Sequence, residues 1–398
     1  MVLRISTRTI YDVGVGQVSS LQAALARTQS QLSTGRKNLT AADDPIASAR
    51  ALEVTQSQSI NTQMVTNRSN AKGLLSLETV ALQSSTSLMQ DIKELVVKAG
   101  AGSLAQADRE MLAVELEGRF NDLLGQANSA DGMGGYVFSG YKSTTLPYTR
   151  TADGVTYNGD QGQRELQVAS TRTVPITDSG ASVFENIPTG NGTFVTGPAA
   201  GNYDRGGTGI ISAGSVADPS KVTGDKYQID FQVVPATPGN PAVTTYTVTN
   251  LTNPSPDPPE PQPYVSGQNI TFDGMQFDIK GSPADLDQFT VEPSTKKSVF
   301  TTVNDLIKAL RAPGSGPAGQ ASLSNALNQA HMSIDNATDN ILSVQAAVGS
   351  RLKEIDFLDG AGDDLKLQYA AVLSDLQDVD VVAAISLFTQ QSTNLDAA

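Results

Sequence analysis

Proline divides this chain of 398 residues into three parts. Of its 19 prolines, 16 lie between Pro147 and Pro293, and outside that span only Pro45, Pro313 and Pro317 occur. Proline removes a backbone donor and clashes with the preceding helical turn. Both ends can therefore be helical over long stretches, and the middle cannot.

The C-terminal third carries the clearest periodicity. Leu323, Leu327, Ala330, Ile334, Ala337, Ile341, Val344 and Val348 follow alternating steps of four and three, a heptad seam. Leu352 and Ile355 extend it after a stutter. The run Asp359-Gly360-Ala361-Gly362-Asp363 reads as a break, with Asp363 capping a further helix. That helix carries a second seam through Leu365, Tyr369, Val372, Leu376, Val379 and Ala383.

The N-terminal third mirrors this. Val18, Leu21, Leu25, Thr28 and Leu32 keep heptad spacing, and Gly35 ends their helix. Asp44 then reads as an N-cap with Pro45 in the first helical position. The next helix runs through Ile46, Ile60, Met64, Ala71 and Leu74 to Leu88, Ile92, Leu95 and Ala99. About fifty residues of it would span roughly 75–80 Å. Gly100 to Gly102 closes it, and Ser103 opens a third helix with Leu112, Leu116, Phe120, Leu123 and Ala127 on one face.

From about Gly140 to Phe300 the pattern is β. Lys226 to Val234 and Val243 to Thr249 alternate with period two, and Ile270 to Ile279 reads as a hairpin turning at Asp273-Gly274. Leu251 to Pro263 is a proline-rich linker.

A long helix with one apolar stripe is unstable alone in water. The simplest solution pairs N-terminal helices antiparallel with C-terminal ones. The expected class is α+β: an elongated, coiled-coil-like rod of long antiparallel helices from both termini, with an inserted β-rich outer domain. The expected division is 1–44 with 363–398 as terminal assembly helices, disordered in the monomer. A helical rod follows in 45–140 with 300–362, and the outer domain in 141–299, within which 185–263 is an enlarged sub-domain.

Composition narrows the chemistry. Without Cys there is no disulfide framework and no thiolate zinc site, and the single His331 leaves no multi-His metal site and a poor basis for Ser–His catalysis. The absence of Trp and an aromatic content of 5% suit an extended, modular protein better than one compact, aromatic-rich core. A net charge of −14 argues against nucleic acid and against an anionic membrane surface, and no run of 18 apolar residues occurs. Met1 to Gly16 lacks a basic stretch followed by an apolar core, so no Sec-type signal is expected.

Gly14-Val15-Gly16 and Gly132 to Gly135 match no phosphate-loop pattern and read as flexible joints. The pairs Asp43-Asp44 and Asp363-Asp364 precede helices and read as caps rather than acid–base or metal groups. His331 reads as a partly exposed helix residue, and Asp375, Asp378 and Asp380 as a solvated helix face. No catalytic residue, cofactor or metal site is expected. The apolar stripes at the two ends lie farthest from any bulky domain and invite other copies of the chain.

Several segments, in order, carry a resemblance. They are Leu3 to Thr7, Leu32 to Lys37 followed by Asp43-Asp44-Pro45, Ala99 to Leu104 with Asp108-Arg109, and Gly135-Tyr-Val-Phe-Ser-Gly140. Val155 to Asp160, Gly281 to Val291, Val348 to Leu352 and Asp375 to Ile385 follow. Over roughly residues 1–180 and 265–398 the chain resembles the bacterial flagellin superfamily, most closely its hook-associated branch. Asp44-Pro45 and the Tyr136 to Gly140 run favour that branch over the filament flagellins. Members usually continue past the position of Leu395 with further apolar helix, whereas this chain stops at Ala398.

The resemblance implies a structural subunit at the junction of hook and filament, exported by the flagellar type III apparatus to the extracellular flagellum without a cleaved signal. It also implies homo-oligomerisation in a ring or helical lattice, contacts with a neighbouring hook-associated protein and with flagellin, and a cytoplasmic export chaperone. The expected assembly seam is Leu21, Leu25, Leu32, Leu376, Val379 and Ala383. A different class, a secreted adhesin or glycan-binding module on a helical stalk, would use the Thr-rich strands around Val243 to Thr249, but the chain lacks the Trp platforms such sites usually need.

Overall fold

The computed structural model describes residues 7–100, 104–151, 154–254, 260–312, 314 and 316–397. Ser103, the Leu3 to Ser6 part of the flagellar-type motif and residues 255–259 of the proline-rich stretch lie outside the described residues. The fold is α+β. Helices α1 (Thr7–Thr34), α2 (Pro45–Gly100) and α3 (Gln106–Ala127) precede the β-rich region, and α4 (Val299–Arg311), α5 (Gly316–Gln377) and α6 (Val381–Ala397) follow it. The chain divides into two compact units, one of Met1–Asn70, Gln167–Thr173 and Glu354–Ala398, the other of Ala71–Leu166 and Val174–Lys353.

The start of α2 follows the sequence closely. Asp44 Oδ1 accepts the amide of Ala47 at 2.9 Å, with Pro45 as the first helical residue. Gly35 ends α1 with φ +69°, a left-handed conformation that glycine adopts without penalty. Most of the heptad of α5 is buried where the spacing places it: Leu323, Leu327, Ala330, Ile334, Ala337, Ile341, Val348 and Ile355 are in the core, while Val344 and Leu352 are half-buried.

In the larger unit, α2 runs antiparallel to α5, with Lys93 Nζ 2.6 Å from Asp335 Oδ1 and Gly100 beside Leu327. Helix α3 packs on α4, whose N-terminus is capped by Ser298 Oγ. Strands β1 (Tyr148–Thr151) and β2 (Gly154–Tyr157) form one hairpin, and β3 (Glu165–Ala169) and β4 (Arg172–Pro175) a second. A π-helical turn at Ala181–Glu185 inserts Phe184 among Phe138, Tyr148 and Phe300, with Phe120 edge-on to Phe300. The short β5 (Ile187–Pro188) precedes the outer sheets.

Those sheets contain β6 (Phe194–Pro198), β7 (Ile210–Ile211), β8 (Ser215–Val216), β9 (Tyr227–Val234), β10 (Val243–Asn250), β11 (Gln262–Pro263), β12 (Asn269–Phe272), β13 (Met275–Lys280) and β14 (Gln288–Pro293); β15 (Lys296–Lys297) returns to pair with β5. One sheet has the order β11-β10-β9-β14-β6, and another β12-β13-β7 with β8 also on β13. The hairpin turn is Asp273-Gly274, both at positive φ as a type I′ turn requires. Alternating Tyr227, Ile229 and Phe231 meet Phe277, Ile279, Phe289 and Val291 in a second core. A small aromatic fraction thus supplies two aromatic cores, because most of the rings lie in the β-rich middle and many of them face inward.

In the smaller unit, the tip of the β3–β4 hairpin docks on α2 and α5. Arg68, its side chain 3% exposed, reaches Asp359 Oδ1 at 2.5 Å and the Val168 carbonyl at 2.9 Å. Asn67 Nδ2 donates to the Gln167 carbonyl, and Arg172 pairs with Glu354.

Three expectations fail here. First, α5 runs unbroken through Asp359 to Asp363, so Asp363 caps nothing. Gly362 is the point where Asn61 Nδ2 bonds the helix carbonyl and the Arg68 guanidinium lies against the backbone. Glycine there answers to close approach, at a propensity cost of about 1 kcal/mol that packing offsets. Second, the seam from Leu365 to Ala383 is not one helix, because the chain breaks at Asp378 to Asp380. Third, Gly14 and Gly16 lie inside α1 rather than at a joint.

Candidate assembly surface

Helices α1 and α6 pack on each other. The stripe facing α6 includes Val18, Leu21, Leu25 and Leu32, half-buried, and Thr28, buried. Thr28 Oγ1 donates to Gln391 Oε1 at 2.9 Å, so a polar pair occupies a seam position.

The two helices leave α2 and α5 through turns that are bonded to each other. The Lys37 amide donates to the Gln377 carbonyl at 2.7 Å and the Val379 amide to the Gly35 carbonyl at 3.0 Å, an antiparallel bridge between Arg36 and Asp378. Asp43 fixes the first turn. Its Oδ2 accepts the amides of Thr40 and Leu39, and Arg27 approaches Oδ1 at 2.7 Å. The Thr40 amide, followed by the Arg27 charge, holds the Asp43 carboxyl below the usual range. Asp380 starts α6, accepting the Ala383 amide at 3.0 Å with its side chain and the Ala384 amide with its backbone. This run of acids is therefore a turn and a cap rather than one solvated face.

The structure brings Leu21, Leu25 and Leu32 onto one side of α1. Leu376 lies at the end of α5 with Asn38, Leu39 and Thr40 across a small cleft, and Val379 lies in the bonded turn. These five are half-buried within the chain, and Ala383 is exposed. The buried position of α6 is Ala384, one residue later, because the break resets the helical phase. What remains uncovered is a different set: Tyr11, Val13 and Val15 on α1, Val381, Val382, Ile385 and Leu387 on α6, and Leu367 on α5. Val382 is 80% exposed. The sequence signal for this set was available, since consecutive apolar residues such as Val381-Val382 cannot all face one partner on a helix.

Among the described residues no three His, Asp or Glu side chains converge as a metal site, and no helix is long and apolar enough to cross a membrane. His331, half-buried on α5, has Nε2 3.6 Å from Asp335 Oδ2. Asp131 Oδ1 accepts the amides of Met133 and Gly135, which closes the Gly132 to Gly135 loop on itself.

Residues 5–143 match the family model of the bacterial flagellin N-terminal helical region. The chain is 26% identical over 397 residues to flagellar hook-associated protein 3 of Salmonella typhimurium, covering 100% of this chain and 95% of that protein. The crystal structure of flagellar hook-associated protein 3 from Legionella pneumophila is 32% identical, with a TM-score of 0.74, over 81% of this chain and 98% of that one. The crystal structure of Xanthomonas campestris FlgL is 28% identical with a TM-score of 0.73, over 81% and 99%.

Proposed function

This chain belongs to the flagellar hook-associated protein 3 (FlgL) family, and from that premise we propose that it joins hook to filament by packing its terminal helices against those of neighbouring copies. It is a structural component of the bacterial flagellum, and the full-length match to hook-associated proteins favours the junction over the filament. Residues 1–44 and 363–398 are the assembly segments, 45–140 with 300–362 the helical rod and 141–299 the outer domain, with 185–263 an enlarged part of it. Copies associate head to tail in a ring or helical lattice, as heterologous contacts do. One rim meets a hook-side hook-associated protein and the other meets flagellin. The protein acts outside the cell without catalysis, leaves by the flagellar type III route uncleaved, and is held beforehand by a cytoplasmic chaperone on its C-terminal helix.

The observation that carries this reading is the apolar surface left over after α1 and α6 have paired. Leu21, Leu25, Leu32, Leu376 and Val379 seat the pair, and the face of α6 with Val381, Val382 and Ile385 is offered outward, with Leu387 exposed on another side. Val382→Asp tests it. The variant keeps the wild-type circular dichroism of the isolated chain, and in a deletion strain it gives hooks without filaments. Motile cells with normal filaments would sink the reading.

A further inference from the structure

Helix α2 carries an acid in its core. Ala71, Leu74, Glu78, Ala81, Ser85, Leu88 and Ile92 keep heptad spacing, and Glu78 sits in that seam with Leu74, Leu75, Ala81 and Leu82 buried around it. Its relative exposure is 0%. Glu78 Oε1 accepts the amide of Asp178 at 3.0 Å, and Oε2 has no hydrogen-bond partner.

Asp178 is itself buried. Arg351 of α5 donates to its two carboxylate oxygens at 2.8 and 3.1 Å, and Gln163 Nε2 to Oδ1 at 2.5 Å. The charged groups set against Glu78 are thus Asp178, from the loop after β4, and Arg351, from α5; α2 itself presents only apolar neighbours there. Arg164, beside Thr177, is directed to Asp131 and the Tyr136 carbonyl. Two buried carboxyls therefore face one cation. Ionising both would bury an unbalanced charge, which is strongly unfavourable.

We propose that Glu78, Asp178 and Arg351 form a proton-linked latch, in which a proton held on Glu78 fastens the loop 177–179 between α2 and α5, and its loss in alkaline medium loosens that loop. The loop feeds the π-helical turn that inserts Phe184 into the aromatic core, and Gly180 continues it by donating to the Phe138 carbonyl. Release would thus reach the packing of α3 and α4 through Phe300.

Burial first, and the Asp178 charge second, push the Glu78 carboxyl up to about 8. The folded chain then keeps a proton that the opened chain has released. Stability of the latch falls as pH rises from the ordinary value of 4.5 to about 8, and is level above it.

The experiment compares amide exchange of residues 176–183 in the full-length wild-type chain and in Glu78→Gln, which is neutral at every pH. Between roughly pH 6.5 and 8.5, opening of this segment in the wild type should rise relative to the variant on the order of tenfold. An unchanged ratio overturns the latch. Should Glu78→Gln fail to fold, carbon NMR of the wild-type Glu78 carboxyl decides: protonation persisting at neutral pH supports the proposal, and ionisation in the ordinary carboxylate range overturns it.

Discussion

Gly360 and Gly362 sit two residues apart in α5 and answer to different constraints. A methyl built at Gly360 meets nothing within 4 Å, whereas one at Gly362 falls 2.2 Å from Arg68 Nη2. Arg68 has little room to yield, because its buried side chain is bonded on two sides. Gly360→Ala therefore stabilises by about 0.5–1 kcal/mol through helix propensity, and Gly362→Ala destabilises by about 2 kcal/mol through overpacking. Denaturant midpoints of the two variants measure the difference, and coincident midpoints would remove the close-approach role of Gly362. Burial ranks the ion pairs as well. Arg68–Asp359 and Arg172–Glu354 share a 2.5 Å separation, but the second arginine is 57% exposed and its pair is largely screened by water. Neither role was legible beforehand. A Gly-Ala-Gly run flanked by aspartates reads as a helix end on propensity alone, and only the side chain on α2 reveals why glycine stands there.

At the level of elements, two aspartates perform the same task with unequal visibility. Asp44 and Asp380 each accept the amide three residues on, at 2.9 and 3.0 Å. Asp44 was legible because Pro45 marks the first helical residue. Asp380 was hidden by neighbouring acids and by apolar spacing that continues in heptad steps across the break. Asp380→Ala should weaken α6 by about 1 kcal/mol, read as faster amide exchange through Val381 to Phe388. Asp375→Ala, in the exposed last turns of α5, should leave those amides unchanged. Equal effects from the two variants would refute the cap. Long periodic stretches such as Leu323 to Ile355 were recovered well, since many positions vote together; interruptions were recovered poorly, since each rests on one or two local bonds.

For the whole molecule, the division of proline and the change of hydrophobic period from heptad to two carried the α+β architecture. The aromatic cores escaped, because the helices and the π-helical turn that bring Phe120, Phe184 and Phe300 together are remote in sequence. Of the assembly surface, the pairing stripe on α1 was legible, and the uncovered face showed only as consecutive apolar residues such as Val381-Val382, because spacing shows which residues align but not which side another helix takes. Shielding by copies predicts a difference between free and assembled chain. Amides of residues 11–34 should exchange faster in dilute monomer, where only α6 covers them, than in the assembled junction. Strong protection in the monomer would count against assembly-dependent ordering. The paired turns have one more outcome. Since Gly35 and Lys37 are tied to Val379 and Gln377, a residue inserted in either turn alone would put these bonds out of register and displace one outgoing helix against the other. Hybrids between relatives should therefore tolerate exchange of both extremities together and reject exchange of one, so the two ends are inherited as a matched set.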